Sequence, residues 1–333
     1  MARMSGKNFD RDIRRRFQKR FGRTRIARAS PTADNLTARG DEIAELAEAV
    51  ADEHCPGGVV SPEAIAHASG ITLSFGGYGE GFDGMLEHRS GRFHIFCNTD
   101  RVSFGDSPRA RFTLAHELGH YYIDDHRRAL ASGAVAPHPS QCDSESSVLA
   151  EQEADRFAAS LLMPSGRFNA LARRSARGLA GILALADAFK TSITSTAIRY
   201  AAADISPCAV VKWNWKGYAW KRLSSTTFQA RLRRTFETPA ELPEDSPTRR
   251  ALAHQKPPAC GPFDGAQGRR EHGRIGGYFE SGTTAAAWFP RVGHEDDRNV
   301  VFIEQAIPLG AYGVLTFLYP DEADLLSKSA APK

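Results

Sequence analysis

The 333-residue sequence has no apolar run approaching the roughly 18 to 20 residues that a membrane-spanning helix needs. No apolar segment of the kind found in secretory signal peptides follows its first residues. We therefore expect a protein that is neither exported nor inserted into a membrane. Hydrophobic residues make up 41% of the chain and charged residues 25%, which is typical of soluble globular proteins. The length suits two or three compact units, each large enough to bury a core.

Cysteine is scarce, and its distribution excludes two further classes of protein. The five cysteines are odd in number, widely scattered and form no CxxC pair: Cys55, Cys97, Cys142, Cys208 and Cys260. This pattern argues against a disulfide framework and against a cysteine zinc knuckle. It predicts free thiols in a reducing cytoplasm. We also find no internal repeat.

The net charge of +4 is mild, but the first 28 residues concentrate basic side chains. They include Arg14, Arg15 and Arg16, and their only acidic residues are Asp10 and Asp12. One interpretation is an arm that makes weak contact with nucleic acid or an acidic partner, and the other is a solvated extension. The two aspartates argue against a transit peptide.

Composition and periodicity divide the chain into four parts. Residues 1–38 are predicted to be the basic extension and a polar linker, with Asp41 capping the helix that follows. Residues 39–165 combine helical segments with two predicted strands, ITLSFGGYG and RFHIFCNTD, around a glycine-rich connection. Residues 166–204 have the outline of a helix-turn-helix or of a plain helical pair. Residues 205–325 are predicted to be strand-rich, with an irregular insertion over 238–277.

A hairpin is predicted near the start of this strand-rich part, turning at Lys216-Gly217 with Val211, Trp213 and Trp215 on one face. Its interleaved lysines and aromatics favour either a clamp for a nucleic acid strand or a hairpin that buries its tryptophans. Further strands are predicted in TTAAAWFPRV, NVVFIEQAI and YGVLTFLYP.

The strongest chemical signal is RFTLAHELGHYYIDDH, which holds two histidines four residues apart. In a helix His116 and His120 stand one turn apart on the same face, so both imidazoles can bind one metal ion. Glu117 then projects beside the ion, where it can take a proton from water. This is the HExxH arrangement of zinc peptidases. Such a site also needs a third ligand and an open fourth position.

A second predicted helix, VLAEQEADRFAASLLMP, offers the third ligand. Glu151 and Asp155 lie four residues apart on one face, so Glu151 can bind the metal while Asp155 orients a ligand histidine from the second shell. Glu153 is the rival for the ligand role, although its two-residue offset turns it to another side of the helix. The alternative is that these carboxylates form a solvated acidic face.

Together these segments resemble the ImmA/IrrE family of metallopeptidases, whose members share an R-F-T-x-A-H-E-x-G-H core and an E-x-E-A-x-x-F-A-x-x-L-L-M-P helix. The resemblance is close over about residues 40 to 165. It implies an α+β fold with a zincin-like, mainly helical peptidase domain containing a small sheet. A helical pair and a strand-rich, GAF-like C-terminal domain would follow. It also implies that His116, His120 and Glu151 bind Zn²⁺, or another divalent ion such as Mn²⁺, and that Glu117 is catalytic.

Family members act as site-specific proteases or antirepressors against helix-turn-helix repressors, and so derepress mobile elements or DNA-damage genes. The expected activity is therefore cleavage of such a repressor in the cytoplasm. Two alternatives stay open: an antirepressor that acts by binding, and a regulator that contacts DNA through the basic N-terminus and the helical pair. Candidates for stabilising the oxyanion are Tyr121, Tyr122, His126 and His138.

Overall fold

Two compact units make up the chain in the computed structural model: residues 1–167 with 189–191, and residues 168–188 with 192–333. The structure describes residues 33–105, 107–135, 137, 140, 148–232, 239, 241–254, 277–289 and 298–321. The predictions for the basic N-terminus, and for Cys142, Cys260 and His138, lie outside the described residues. No helix in the described ranges is long and apolar enough to cross a membrane.

The first unit packs helices around a three-stranded sheet. Its helices are α1 (Ala33–His54), α2 (Pro62–Ala68), α3 (Pro108–Tyr122), α4 (Asp124–Ser132) and α5 (Leu149–Leu162). Its strands are β1 (Thr72–Gly76), β2 (Gly84–Arg89) and β3 (Arg92–Asn98). A serine hydroxyl caps α2 and α3, and a proline occupies the first turn of each. The predicted stop of the second motif helix at Pro164 is confirmed, since α5 ends at Leu162.

The central strand of this sheet is β3, which pairs parallel with β1 and antiparallel with β2. The prediction that the segment before β3 is only a glycine-rich connection was wrong, because β2 forms there. Ser90 and Gly91 both have positive φ, at 52° and 76°, as a tight two-residue hairpin requires. A Ser-Gly pair between two short strands was therefore the signal that the sequence analysis missed.

The predicted helix cap at Asp41 was also wrong. Helix α1 begins at Ala33, so Asp41 lies inside it and part of the predicted linker is helical. The Asp41 carboxylate instead accepts a hydrogen bond from Arg156 of α5 at 3.3 Å. Asp41 therefore contacts a neighbouring helix instead of capping its own.

The second unit joins helices to a five-stranded antiparallel sheet. Its helices are α7 (Leu179–Phe189), α8 (Ile193–Ala202), α9 (Thr226–Leu232), α10 (Pro247–His254) and α11 (Ala285–Trp288), and α6 (Ser165–Ala172) precedes them. The strands are β4 (Ala209–Trp213), β5 (Ala219–Ser224), β6 (Phe279–Thr284), β7 (Val301–Pro308) and β8 (Val314–Pro320), in the order β5-β4-β8-β7-β6. The predicted α+β fold, helical first and strand-rich later, is confirmed.

Three local expectations about this second unit need correction. Helix α10 lies within the segment predicted to be irregular, and α11 replaces part of the predicted strand TTAAAWFPRV. The hairpin of β4 and β5 is confirmed and buries Val211 and Trp213, but Trp215 lies in its turn, where the indole donates to the carbonyl of Ala311. The GAF-like assignment of this unit stays a prediction.

Candidate metal centre

Helix α3 carries His116, Glu117 and His120 into the interior of the first unit. Every residue from Thr113 to Tyr122 is buried. The exposed fraction is 2% for His116, 0% for Glu117 and 8% for His120. Burial of polar groups costs free energy unless each finds a partner, so the partners of these side chains decide what the site can do.

Gly119 lets helix α5 approach α3 closely. A Cβ at this position would lie 3.0 Å from the Cα and 3.2 Å from the carbonyl oxygen of Ala154. Because glycine has no side chain, the two helix backbones can pack almost in contact. This approach brings Glu151, in the first turn of α5, against the two histidines.

Three potential metal ligands converge between the helices. His116 Nε2 lies 3.2 Å from His120 Nε2 and 3.1 Å from Glu151 Oε2, and His120 Nε2 lies 3.3 Å from Glu151 Oε1. A tetrahedral zinc ion with bonds of about 2.0 to 2.1 Å separates neighbouring ligand atoms by about 3.3 Å. The three residues therefore match the spacing of a tetrahedral site, and they are the group among the described residues that can hold a metal.

Asp155 contacts the first of these histidines. Its Oδ1 lies 2.9 Å from His116 Nδ1, on the far side of the ring from Glu151. If this Nδ1 carries the proton and donates it to Asp155, the Nε2 lone pair faces the other two ligand atoms. Converging lone pairs repel one another, so the arrangement calls for either a proton or a cation between them.

The pKa values describe how the protein satisfies this demand when it holds no cation. Burial disfavours the charged form of His116, but hydrogen bonds to Asp155 and Glu151 outweigh it and raise its pKa to about 10. Burial opposes ionisation of Glu151 as well, but hydrogen bonds from the two histidines lower its pKa well below the usual range. The group therefore holds a carboxylate facing a proton that a metal ion can displace.

Glu117 differs from the candidate ligands in the surroundings of its carboxylate. It is fully buried, and neither oxygen is within hydrogen-bonding geometry of another group among the residues that the structure describes. Burial raises its pKa; the two histidines and the nearby Ser140 hydroxyl oppose this shift. A Cβ at Gly84 on β2 would lie only 3.0 Å from Glu117 Oε1, so the glycine leaves space beside the carboxylate. An unpaired buried carboxylate with a raised pKa has the properties of a general base.

The other candidates from the sequence separate into distinct roles. Tyr121 and Tyr122 belong to the hydrophobic core, and their hydroxyls lie near the Ser69 carbonyl and hydroxyl respectively. Glu153, the rival ligand, contacts His126 instead of the two ligand histidines. The sequence analysis missed Gly84, because nothing in the sequence sets the register of β2 against α3.

Comparison with known proteins identifies one family. Residues 105–200 match the model of the IrrE N-terminal-like domain, a Peptidase_M78 domain. These residues include both histidines, Glu117, Glu151 and Asp155. No curated protein matches the sequence closely enough to count as a relative.

One solved structure is similar over most of the chain. It is a Mycobacterium tuberculosis transcriptional regulator, 13% identical, with 98% of this chain and 80% of that chain covered and a TM-score of 0.44. With a TM-score below 0.5, this likeness carries no argument about the function of this chain.

Proposed function

Because this chain belongs to the ImmA/IrrE family of metallopeptidases through residues 105–200, we propose that it is a zinc-dependent, site-specific endopeptidase. Its substrate is a helix-turn-helix transcriptional repressor, and its cleavage switches on stress-response or mobile-element genes. The observation that carries the enzymatic part is the pairing of two features. Three side chains have the spacing of a tetrahedral metal site, and an unpartnered buried carboxylate lies next to them.

In this proposal His116, His120 and Glu151 bind the metal, and Mn²⁺ is the alternative to zinc. A metal ion held there would supply Lewis-acid polarisation of a scissile carbonyl and a water of lowered pKa. The residues fit that ion because two imidazoles and one carboxylate leave a fourth position open for substrate or water.

The protein side chains then divide the remaining work. Glu117 accepts the proton of the attacking water and passes it to the leaving amine. Its raised pKa suits the first step, because a carboxylate that holds a proton more readily takes one from water more easily. Asp155 holds the ring of His116 in the tautomer whose Nε2 is free to bind the ion.

The substrate is tested by asking first whether a gene next to the one for this protein encodes a helix-turn-helix repressor, and then by using that repressor. Zinc-loaded wild type and Glu117→Gln are incubated with it, and intact repressor is followed by mass spectrometry. We expect one defined cleavage with the wild type and none with the variant at equal zinc content. Equal loss of intact repressor in both would refute a peptidase that uses Glu117. A repressor that is bound but left intact by both proteins would favour an antirepressor that acts by binding.

A further inference from the structure

His120 contacts a second histidine on the side of its ring that faces away from the metal ligands. His120 Nδ1 lies 3.2 Å from His126 Nδ1, while His120 Nε2 faces His116 and Glu151. His126 is in the first turns of α4, and its side chain is 10% exposed. Two imidazole nitrogens at this distance are held together by one proton, which must belong to one of the two rings.

The contact continues from His126 to a carboxylate and then to helix α1. His126 Nε2 lies 2.9 Å from Glu153 Oε2, and Arg39 donates from Nε to Glu153 Oε1 at 3.1 Å. Arg39 also pairs with Asp125 of α4 at 3.3 Å. The Glu153 side chain is 12% exposed, so this carboxylate is largely shielded from water and needs the partners it has.

With His126 neutral, the protons along the contacts from Glu153 through His126 to His120 can be placed consistently. Ionised Glu153 only accepts, so His126 Nε2 carries a proton and donates it. In neutral His126 the other nitrogen, Nδ1, is then an acceptor, and the proton between the rings belongs to His120 Nδ1. His120 Nδ1 then keeps its proton when a metal ion takes the place of the proton between His120 Nε2 and Glu151, and this is the tautomer that a metal ligand requires.

We propose that His126, Glu153 and Arg39 form a positioning relay for His120, extending from the candidate metal site to α1. This inference rests on the proposed function, because it assigns these residues a purpose only if His120 binds a metal. His126 is not itself a ligand in this relay, since it contacts the ring nitrogen opposite to the one that faces Glu151. The three carboxylates of α5 then have three tasks: Glu151 binds, Asp155 orients His116, and Glu153 orients His120 through His126.

The relay is tested on the full chain by metal affinity, measured through competition with a chromophoric chelator. Loss of a residue that orients a metal ligand typically weakens metal binding by about 10-fold to 100-fold. We expect a loss in this range for His126→Ala and a loss of several-fold for Glu153→Ala. The visible absorption spectrum of the Co²⁺-loaded protein should also change in both variants, because the His120 ring is no longer held. His67→Ala is the matched control, since His67 lies in an exposed ion pair with Glu63 on α2.

Two further measurements separate positioning from a general loss of structure. Thermal unfolding of the metal-free variants reports on folding, and Glu153→Ala serves as the second probe of the relay if His126→Ala does not fold. In a His126→Ala background that folds, adding Glu153→Ala should weaken metal binding little further. The effects of two residues that act through the same series of contacts are not additive. Wild-type affinity and an unchanged Co²⁺ spectrum in both single variants would overturn the relay and leave the proposed function standing. If His116→Ala and Glu151→Ala also bind metal as tightly as the wild type, the proposed function itself fails.

Discussion

The close approach of α3 and α5 at Gly119 makes a prediction whose size follows from the structure. In Gly119→Ala the new Cβ would lie 3.0 Å from the Cα of Ala154, whereas ordinary Cβ contacts begin at 3.4 Å. Because the contacted atom belongs to the backbone, α5 must move by about 0.4 Å. Metal-ligand distances tolerate only about 0.2 Å of error. Glu151, one turn from Ala154, should therefore bind poorly, and we expect the zinc affinity to fall by about tenfold or more.

The matched control is Gly40→Ala, in helix α1, where a Cβ would meet nothing within 4 Å. Replacing glycine by alanine inside a helix stabilises it by about 0.5 to 1 kcal/mol, so the control should raise the free energy of unfolding and keep full zinc affinity. Affinities come from chelator competition, and stability from thermal unfolding in excess chelator. Wild-type zinc affinity in Gly119→Ala would refute the argument that backbone contact at Gly119 sets the ligand geometry.

Four further predictions concern the charged groups of the site. Glu117→Gln should stabilise the metal-free fold by about 1 kcal/mol at neutral pH, because it removes an unpartnered buried charge. Because burial raises the pKa of Glu117 above 4.5, the gain in stability should vanish in thermal unfolding below pH 4.5, where the carboxyl group is protonated in both the folded and the unfolded state. A gain that persists below pH 4.5 would show that the buried charge is not its cause. Zinc binding at pH 7.5 should release about one proton, since the pKa of His116 is about 10 without metal. Calorimetry in buffers of different ionisation enthalpy measures the number of protons released, and a value of zero would refute this prediction. The pKa of His116 is raised from 6.5 to about 10, so its ion pairs stabilise the metal-free fold fully below pH 6.5 and lose that contribution as pH rises through 10. The melting temperature of the metal-free protein should therefore fall between pH 6.5 and pH 10. Asp155→Ala should weaken zinc binding by about 10-fold to 100-fold without unfolding the metal-free protein, and unchanged affinity would remove Asp155 from the site.

Helical spacing alone predicted two pairs of side chains, His116 with His120 on α3 and Glu151 with Asp155 on α5. The grouping of Glu151 with the two histidines was instead implied by the resemblance to the ImmA/IrrE family. The same spacing separated Glu151 and Asp155 from Glu153 on α5. Spacing within a helix does not predict which neighbouring element each of its faces contacts. The contact of Glu153 with His126 depends on how α4 turns after Ile123, and that turn is a tertiary feature.

The wrong predictions about the fold had the same origin. Asp41 has the chemistry of a helix cap, yet it lies inside α1 and contacts Arg156 of α5. Strand β2 has none of the β-branched residues that identify strands, and it forms because a tight turn at Ser90-Gly91 folds it onto β3. Local preferences therefore described elements well where packing agreed with them, and failed where packing overrode them.

The central claim is that one buried group binds a metal ion and that Glu117 uses it to cut a peptide bond. The most direct test compares wild type and Glu117→Gln, both loaded with one equivalent of zinc, for the appearance of new peptide termini in the repressor. The account predicts a single new terminus with the wild type and none with the variant. The same new terminus at the same rate with both proteins would contradict it.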